Sequence, residues 1–349
     1  MFILLILSIV EISVRAYEYS KPTCTFINSD IFKNSKQLAE TICDDLKNLN
    51  SHDVNYLFPN PNQHLNTINI NSHGFRGEEI LKEKPVDKYR IFVVGGSTVL
   101  GYGSSSDQTT MPGYLQQYFK DEKLDGVEVI NAGMSAANSF EEAYKIKNYL
   151  LEFQPDMIIV YDGWNDSIKK PVTGEWRPRT DYYYEDKDEI YKFFVNNSQL
   201  YRTPFVLYDP LYQPIQANSL DKKTVENITE IWKNRWIGVC KTGDDIGFDS
   251  VIVVQPIVGT STRELSSEEQ KHAEWIKQVK SREILNSLAL SLDEISKTCE
   301  GAIDLRSAFD DVNQPVYWDA GHMGDFGNEI IAKKIFEQIL PIIKEKEIK

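Results

Sequence analysis

The sequence predicts an α/β protein: a three-layer α/β/α sandwich built on a five-stranded, mainly parallel sheet. From Tyr89 onward, five short and mostly apolar runs recur, at residues 90–94, 127–131, 157–161, 251–255 and 302–305. Apolar runs without strict alternation are expected of parallel strands that are covered on both faces. Helical patterns separate most of these runs, and such alternation is typical of a sheet with helices on both sides.

The predicted helices lie between the strands and after the last of them. They cover residues 111–119, 140–153, 224–239, 267–296 and 328–343. In the second of these segments Ala143, Ile146, Leu150 and Leu151 recur at helical spacing, which predicts a face that packs on the sheet. In sandwiches of this kind, functional side chains gather at the carboxyl ends of the strands.

We assign residues 17–88 to a polar lead-in segment and residues 89–345 to the α/β domain, which holds an insertion at about 167–245. The insertion leaves the sheet at its carboxyl edge. It is either a lid that lines a substrate site or a small unit whose rings pack its own core. Aromatic residues crowd its first half: Trp176, Tyr182, Tyr183, Tyr184, Tyr191, Phe193, Phe194, Tyr201, Phe205, Tyr208 and Tyr212.

We assign the N-terminal residues 1–16 to a signal or a truncated membrane anchor. The first ten are apolar except for Ser8, and charges begin at Glu11. A bilayer-spanning helix needs about 20 apolar residues, so the segment is too short as written. A signal peptide, the outer half of an anchor and a buried N-terminal strand are the open interpretations. The first two are favoured, and they predict a membrane-anchored or secreted protein on the extracytoplasmic face.

The charge and the cysteines narrow the range of partners. The 349 residues carry a formal net charge of −14, which repels phosphates and therefore excludes nucleic acid as a partner. Cys24 with Cys43 and Cys240 with Cys299 form two pairs by position. Two disulfides in an exported protein and four buried thiols remain alternatives, and three pairings are open. No cysteine pair has the spacing of metal ligands.

Ser97 is the candidate nucleophile because it follows the first strand, in Gly95-Gly96-Ser97-Thr98, just before a helical stretch. A tight turn at this place exposes a serine hydroxyl. The following glycines do not form a phosphate loop, since Tyr102 stands where that motif has lysine. A dinucleotide fingerprint is also absent, because the glycines lack its order. The alternative is a glycine turn that only packs the strand on the helix.

The candidate base is His322, with Asp319 as its partner. Among five histidines, only His322 lies in a loop of the α/β region, just before the last helix. An aspartate three residues earlier can hold the imidazole Nδ1 hydrogen and stabilise the imidazolium that forms when Ser97 loses its proton.

Gly133 and Asn165 are the candidate oxyanion donors. Acyl transfer needs hydrogen-bond donors where negative charge develops. Gly133 follows the second strand and offers a backbone N–H, while Asn165 follows the third strand and offers a side-chain amide. Each could instead be a simple turn residue. Their positions on strands around Ser97 favour the functional interpretation.

These blocks resemble those of the SGNH hydrolases, also called the GDSL lipase or acylhydrolase superfamily. The blocks, in order, are Gly95-Gly96-Ser97-Thr98, Asn131-Ala132-Gly133, Gly163-Trp164-Asn165-Asp166 and Asp319-Ala320-Gly321-His322. The resemblance spans about residues 89–345 and implies the flavodoxin-like fold of that superfamily. Segments 71–77 and 11–15 resemble the lead-in and the anchor end of bacterial and archaeal members. One departure is Gly96, where the family usually has aspartate.

By this resemblance, Ser97 is the nucleophile and first oxyanion donor, Gly133 and Asn165 are further donors, His322 is the base and Asp319 orients it. The implied reaction is hydrolysis of an oxygen ester through an acyl-serine, without metal or organic cofactor. Acetylated surface sugars, lipid esters and small acyl esters are the expected substrates. An O-acyltransferase that acts on cell-surface glycans and a non-catalytic cell-surface binding protein of the same fold are the alternatives.

Overall fold

The computed structural model describes residues 2–20, 24–49, 59–171, 215 and 220–346. Its centre is a five-stranded parallel sheet in the order β4-β3-β5-β6-β7. The strands are β3 (Tyr89–Gly95), β4 (Val127–Gly133), β5 (Met157–Asp162), β6 (Asp249–Val254) and β7 (Gly301–Asp304), and a separate short hairpin is formed by β1 (Gln63–His64) and β2 (Asn69–Ile70). The predicted sandwich is therefore confirmed, and each strand lies within two residues of its predicted bounds.

Helices cover the sheet on both faces. The α-helices of the described residues are α1 (Phe2–Ser20), α2 (Lys36–Asn48), α3 (Ser97–Leu100), α4 (Met111–Asp121), α5 (Ser139–Asn148), α6 (Trp164–Ile168), α7 (Lys222–Ile246), α8 (Ser267–Gln278), α9 (Ser281–Leu290), α10 (Leu292–Ile295) and α11 (Asp325–Glu345). The helices α4 and α11 pack together, whereas α7 packs with α5 and α9. The alignment of β3 with both neighbours puts Gly95 opposite Gly133 and Tyr161, so these three strands end at one level.

The prediction of one helix over residues 267–296 is wrong. The chain forms α8, α9 and α10 there, and Lys280 at the first break adopts a left-handed backbone with φ of 55°. Residues 140–153 are also divided, into α5 and a 3₁₀ turn at Leu150–Phe153. None of these three breaks is marked by glycine or proline, which are the usual sequence signals for a helix end.

The polar lead-in contributes to two hydrophobic cores. Phe75 is buried in the main core, against Phe92 of β3. Cys24 and Cys43 form a disulfide inside a second, smaller core. The other disulfide joins Cys240 of α7 to Cys299 before β7, so the two pairs suggested by chain position are the ones that form.

The signal or membrane anchor at residues 1–16 and the role of the aromatic insertion remain predictions. Within the described ranges, no helix is both long and apolar enough to cross a membrane. The aromatic first half of the insertion, from Trp176 to Tyr212, lies outside the described residues. Its second half forms α7, which buries Trp232 and Trp236 in the main core.

Candidate active site

Ser97 begins the single-turn helix α3, directly after β3. Its Oγ lies 2.7 Å from Nε2 of His322, which is 225 residues away in the sequence. Its backbone N–H has no acceptor in the described part of the chain, as is normal for the first turn of a helix. Ser97 therefore presents a hydroxyl in contact with an imidazole and a free amide beside it.

Asp319 binds the other side of the imidazole. Its Oδ2 lies 2.7 Å from Nδ1 of His322, and its Oδ1 accepts the backbone N–H groups of Gly321 at 2.9 Å and His322 at 2.7 Å. This network favours the tautomer with hydrogen on Nδ1, which leaves Nε2 free to accept the serine hydrogen. Burial opposes ionisation of Asp319, but His322 and these hydrogen bonds together hold its pKa below the ordinary value.

Asn165 lies in α6, next to the residue that precedes the nucleophile. Gly163, with φ of 116°, turns the chain from β5 into this helix. The Asn165 Nδ2 donates to the carbonyl of Ala137 at 2.6 Å, and a Cβ placed on Gly96 would lie 2.8 Å from the same nitrogen. One Nδ2 hydrogen is thus used to fix the amide, and the second, beside the residue that precedes Ser97, has no acceptor in the described part of the chain.

Gly133 does not offer a free donor. Its N–H donates to Oδ1 of Asn131 at 3.0 Å. A Cβ on Gly133 would lie 2.1 Å from the backbone nitrogen of Leu100, so the position needs glycine for close packing of β4 on α3. The expectation that this N–H points at an oxyanion does not fit the geometry, because the donor is already bound within its own strand.

The turn after β4 offers donors instead. The backbone N–H groups of Ser135, Ala136 and Ala137 have no acceptor among the described residues. Ala136 has φ of 57°, an uncommon conformation for a residue with a side chain. Lys169 Nζ donates to the Ala136 carbonyl at 2.7 Å, and Asn165 holds the next carbonyl. Sequence reasoning missed this turn, although its run of small residues beyond the strand was the available signal.

Asp166 fixes the start of α5, two residues after this turn. It accepts the backbone N–H of Ser139 at 2.8 Å and the Ser139 hydroxyl at 2.6 Å, at the start of α5. Burial and the neighbouring Asp166 raise the pKa of Asp162 well above its ordinary value, and Trp232 Nε1 donates to Asp162 at 2.8 Å. The two carboxyl groups, of which Asp166 is the residue after Asn165, therefore form a buried hydrogen-bonded unit.

Sequence reasoning also missed two aromatic rings on the base. Trp318 and Tyr102 both stack on the His322 imidazole. The available signals were that Trp318 directly precedes Asp319, and that Tyr102 follows the nucleophile turn. In the described ranges, no three His, Cys, Asp or Glu side chains are grouped so that they could hold a metal ion.

The fold and site together define an α/β protein with a Ser–His–Asp arrangement at the carboxyl edge of its sheet. No family model matches the sequence, and comparison with curated proteins finds no match. Three solved structures that are similar in fold carry the names of ester hydrolases. They are an acetyl xylan esterase, a lipase/acylhydrolase from Enterococcus faecalis and a catalytic mutant of an acetylxylan esterase from Geobacillus stearothermophilus.

The likeness to these structures is distant. Sequence identities are 13%, 14% and 12%, and TM-scores are 0.41, 0.43 and 0.45, in the same order. The alignments cover 72%, 72% and 73% of this chain, and 99%, 95% and 96% of the respective structures. Similarity of this degree assigns neither an activity nor a substrate to this chain.

Proposed function

We propose that the protein is a serine esterase that hydrolyses an oxygen ester through an acyl intermediate on Ser97. The observation that carries the proposal is the continuous chain of contacts from Ser97 Oγ through His322 to Asp319, with 2.7 Å at each of its two links. A hydroxyl is a weak nucleophile until a base within hydrogen-bond distance takes its proton, and the base needs a third group to orient it.

In the proposed acylation step, His322 Nε2 takes the Ser97 proton while Oγ bonds to the carbonyl carbon of the ester. The carbonyl oxygen becomes an oxyanion in the tetrahedral intermediate. The intermediate collapses, its bond to the alcohol oxygen breaks, and His322 returns the proton to the departing alcohol. Asp319 stays ionised and stabilises the imidazolium in the meantime.

We infer that the oxyanion is bound by the Ser97 N–H, the free Nδ2 hydrogen of Asn165 and the N–H groups of the turn at residues 135–137. Support for this comes from the absence of acceptors for these groups among the described residues and from the contact between Asn165 and that turn. These donors are fixed before substrate arrives, which is the condition under which they lower the barrier most. In deacylation, His322 takes a proton from water as the hydroxide attacks the acyl carbon, and Ser97 leaves with that proton.

For the substrate, we propose an acylated sugar, a lipid ester or a small acyl ester. Support comes from two indole rings near the base. Trp164 lies 3.5 Å from a Cβ placed on Gly321, and Trp275, 43% exposed, contacts Trp164 edge-on with ring centroids 6.0 Å apart. An exposed indole that packs on a buried one next to a polar site suits a substrate that has an apolar or sugar face.

The test is covalent labelling of the purified full chain with a fluorophosphonate, followed by peptide mapping. We expect one adduct, on Ser97, that is absent in Ser97→Ala and much slower to form in His322→Ala. Ser307→Ala is the matched control, because this serine is exposed and outside the site. The rate of p-nitrophenyl acetate hydrolysis should likewise be lost in Ser97→Ala, much reduced in His322→Ala and unchanged in Ser307→Ala.

Two outcomes would contradict the proposal. Folded protein that does not label at Ser97 would show that the serine is not activated, as expected of a binding protein with this fold. Labelling at Ser97 with release of acylated sugar in place of free acid, when a carbohydrate acceptor is supplied, would show an acyltransferase. Peracetylated monosaccharides and p-nitrophenyl esters of increasing chain length would then separate sugar from lipid substrates.

A further inference from the structure

Two aromatic rings stack on the imidazole of His322. The Trp318 ring centroid lies 4.8 Å from that of His322, with an angle of 12° between the planes. The Tyr102 ring stacks at 5.8 Å and 23°. The Trp318 N–H also donates to the His322 carbonyl at 3.1 Å, so backbone and ring hold the same pair of residues together.

Trp318 belongs to the small core of the lead-in, whereas its neighbours Tyr317 and Ala320 belong to the main core. Residues 24–49, which we call the N-terminal disulfide segment, supply the rest of this small core. Its Phe26 packs on the indole with ring centroids 4.8 Å apart, and the Cys24–Cys43 disulfide lies in the same cluster. Tyr102 also packs against it.

Packing, rather than a hydrogen bond, fixes the position of the indole. The Trp318 Nε1 is buried and has no acceptor among the described residues. Gly103 makes room for it, since a Cβ there would lie 2.5 Å from Nε1. The orientation of the ring on His322 therefore depends on what packs against the indole, and Phe26 of the N-terminal disulfide segment makes such a contact.

A stacked indole has a specific effect on a base that becomes a cation. When His322 takes the Ser97 proton, the imidazolium faces the negative face of the indole, which attracts cations more strongly than other aromatic rings do. The titratable groups that face the imidazole are Asp319 at Nδ1, Ser97 at Nε2 and the Tyr102 phenol. Phe26, from the N-terminal disulfide segment, adds no charge.

We propose that the N-terminal disulfide segment is part of the catalytic apparatus: it holds Trp318 against His322, and Trp318 is a positioning residue that favours the imidazolium. This rests on the proposed esterase function. The segment thus links residues near the start of the chain to a base near its end. Asp30 N–H, which donates to Glu268 of α8 at 2.6 Å, gives the segment a second attachment to the domain.

The first experiment compares three variants of the full chain by their rate of Ser97 labelling with a fluorophosphonate across pH. Trp318→Leu keeps apolar bulk but removes the aromatic face, and we expect labelling about 10-fold slower, with the acid limb of the profile moved to lower pH. Trp318→Phe keeps a flat ring and should recover most of the rate. Phe119→Leu is the control, because it removes an aromatic contact to Phe336 in the main core.

The second experiment compares the two disulfides. Cys24→Ala/Cys43→Ala should slow labelling per folded molecule several-fold, whereas Cys240→Ala/Cys299→Ala should lower stability and leave the rate per folded molecule unchanged. The folded fraction is taken from circular dichroism. The ring-current shift of the His322 Cε1 proton, measured by NMR, reports the stacking independently of activity, and we expect it to shrink in Trp318→Leu and after loss of Cys24–Cys43.

The outcomes separate this proposal from the esterase function. Absence of labelling in the wild type overturns the esterase function, while the ring-current shift still reports whether the segment holds the indole on the base. Labelling in the wild type with equal rates in Trp318→Leu overturns the positioning role alone. Equal slowing in Phe119→Leu and Trp318→Leu would also overturn it, because the effect would then be general loss of packing.

Discussion

The guanidinium of Arg76 lies 2.9 Å from the carbonyl oxygen of Leu100, the last residue of the turn α3 that carries the nucleophile. The same Nη1 donates to the Gly101 carbonyl at 2.9 Å, and Nε donates to Asp107 at 2.7 Å. A cation at the C-terminal end of a helix is favourably placed for its dipole and for its unpaired carbonyls. Arg76 therefore fixes the C-terminal end of α3.

We predict that Arg76→Met destabilises the protein and slows Ser97 labelling. The change leaves the Asp107 carboxylate and several carbonyls without their donor, and breaking a buried pair in this way costs about 3–5 kcal/mol. Urea denaturation gives the stability, and the labelling rate of the remaining folded protein gives the effect on the turn. The stability and labelling rate of Arg76→Lys should be intermediate, because a single ammonium group cannot make all the hydrogen bonds of the planar guanidinium.

Arg306→Met is the matched control for Arg76. Arg306 also binds an aspartate, Asp304, but this pair is partly exposed after β7. Exposed pairs of this kind contribute about 0–1 kcal/mol. If Arg76→Met were no more harmful than Arg306→Met, then α3 would not depend on the buried guanidinium.

Asn165→Ala tests the side-chain oxyanion donor. Loss of one such donor lowers kcat about 100- to 1000-fold, and KM changes little because the donor acts on charge that develops in the transition state. Hydrolysis of p-nitrophenyl acetate measures both constants. Asn148→Ala is the control, since Asn148 makes a similar bond to a backbone carbonyl at an exposed position of α5. A loss smaller than about threefold in Asn165→Ala would contradict the assigned role.

The strands could be read from the sequence because burial on both faces leaves a local signature. In β3 every residue from Tyr89 to Gly95 is buried, and the apolar run shows this directly. The pairing of Ser97 with His322 and Asp319 also followed from the order of strands and loops. Features of this kind can be predicted because the residue type and its place in the strand–helix order depend directly on local burial and topology.

The interpretation of Gly133 failed because its role is set by another element. A Cβ placed on Gly133 would lie 2.1 Å from the backbone nitrogen of Leu100. No residue near Gly133 in the sequence indicates this close contact. The contact between Phe26 and Trp318 could not be predicted from the sequence either, since the two residues lie far apart and follow no shared periodicity. Long-range packing of this kind has no local pattern from which it could be predicted.

Asp319→Asn tests the orientation of the base and the ionisation of its partner. An amide can donate to Nδ1 and select the wrong tautomer, and we expect labelling about 1000- to 10,000-fold slower. The pKa of Asp319 lies below its ordinary value of 3.8, because the charge of His322 and hydrogen bonds outweigh the effect of burial. The stability that the carboxylate contributes is therefore complete above about pH 4 and lost as the pH falls through the lowered pKa.

Thermal unfolding of the Asp319→Asn variant and the wild type at several pH values checks the sign. The wild type should be the more stable at pH 7, and the difference should shrink in acid. If the difference in stability between the two proteins were the same at pH 7 and in acid, the contact with the imidazole would not stabilise the ionised carboxylate. Asp310→Asn is a suitable control, because Asp310 accepts a single exposed backbone N–H from Thr262.

Glu269 connects α8 to the loop that carries the base, and its replacement should affect both stability and catalysis. Its carboxylate binds Arg263 and accepts the backbone N–H groups of Val316 at 3.0 Å and Tyr317 at 3.2 Å, just before Trp318. Burial opposes ionisation, but Arg263 and these bonds lower the pKa of Glu269 below its ordinary value of 4.5. The stabilisation is present above that value and is lost as the pH falls through the lowered pKa.

We predict that Glu269→Gln costs about 3–5 kcal/mol at pH 7, because the buried guanidinium of Arg263 loses its counter-ion. The cost should decline below about pH 4.5. As the pH falls there, the ionised carboxylate contributes less to the stability of the wild type, so the wild type and the variant become more alike. Urea denaturation at pH 7 and pH 4 measures both values. Glu264→Gln, an exposed neighbour, should be neutral. A loss at pH 7 that persists unchanged at pH 4 would mean that shape, and not charge, makes Glu269 necessary to the loop that holds His322.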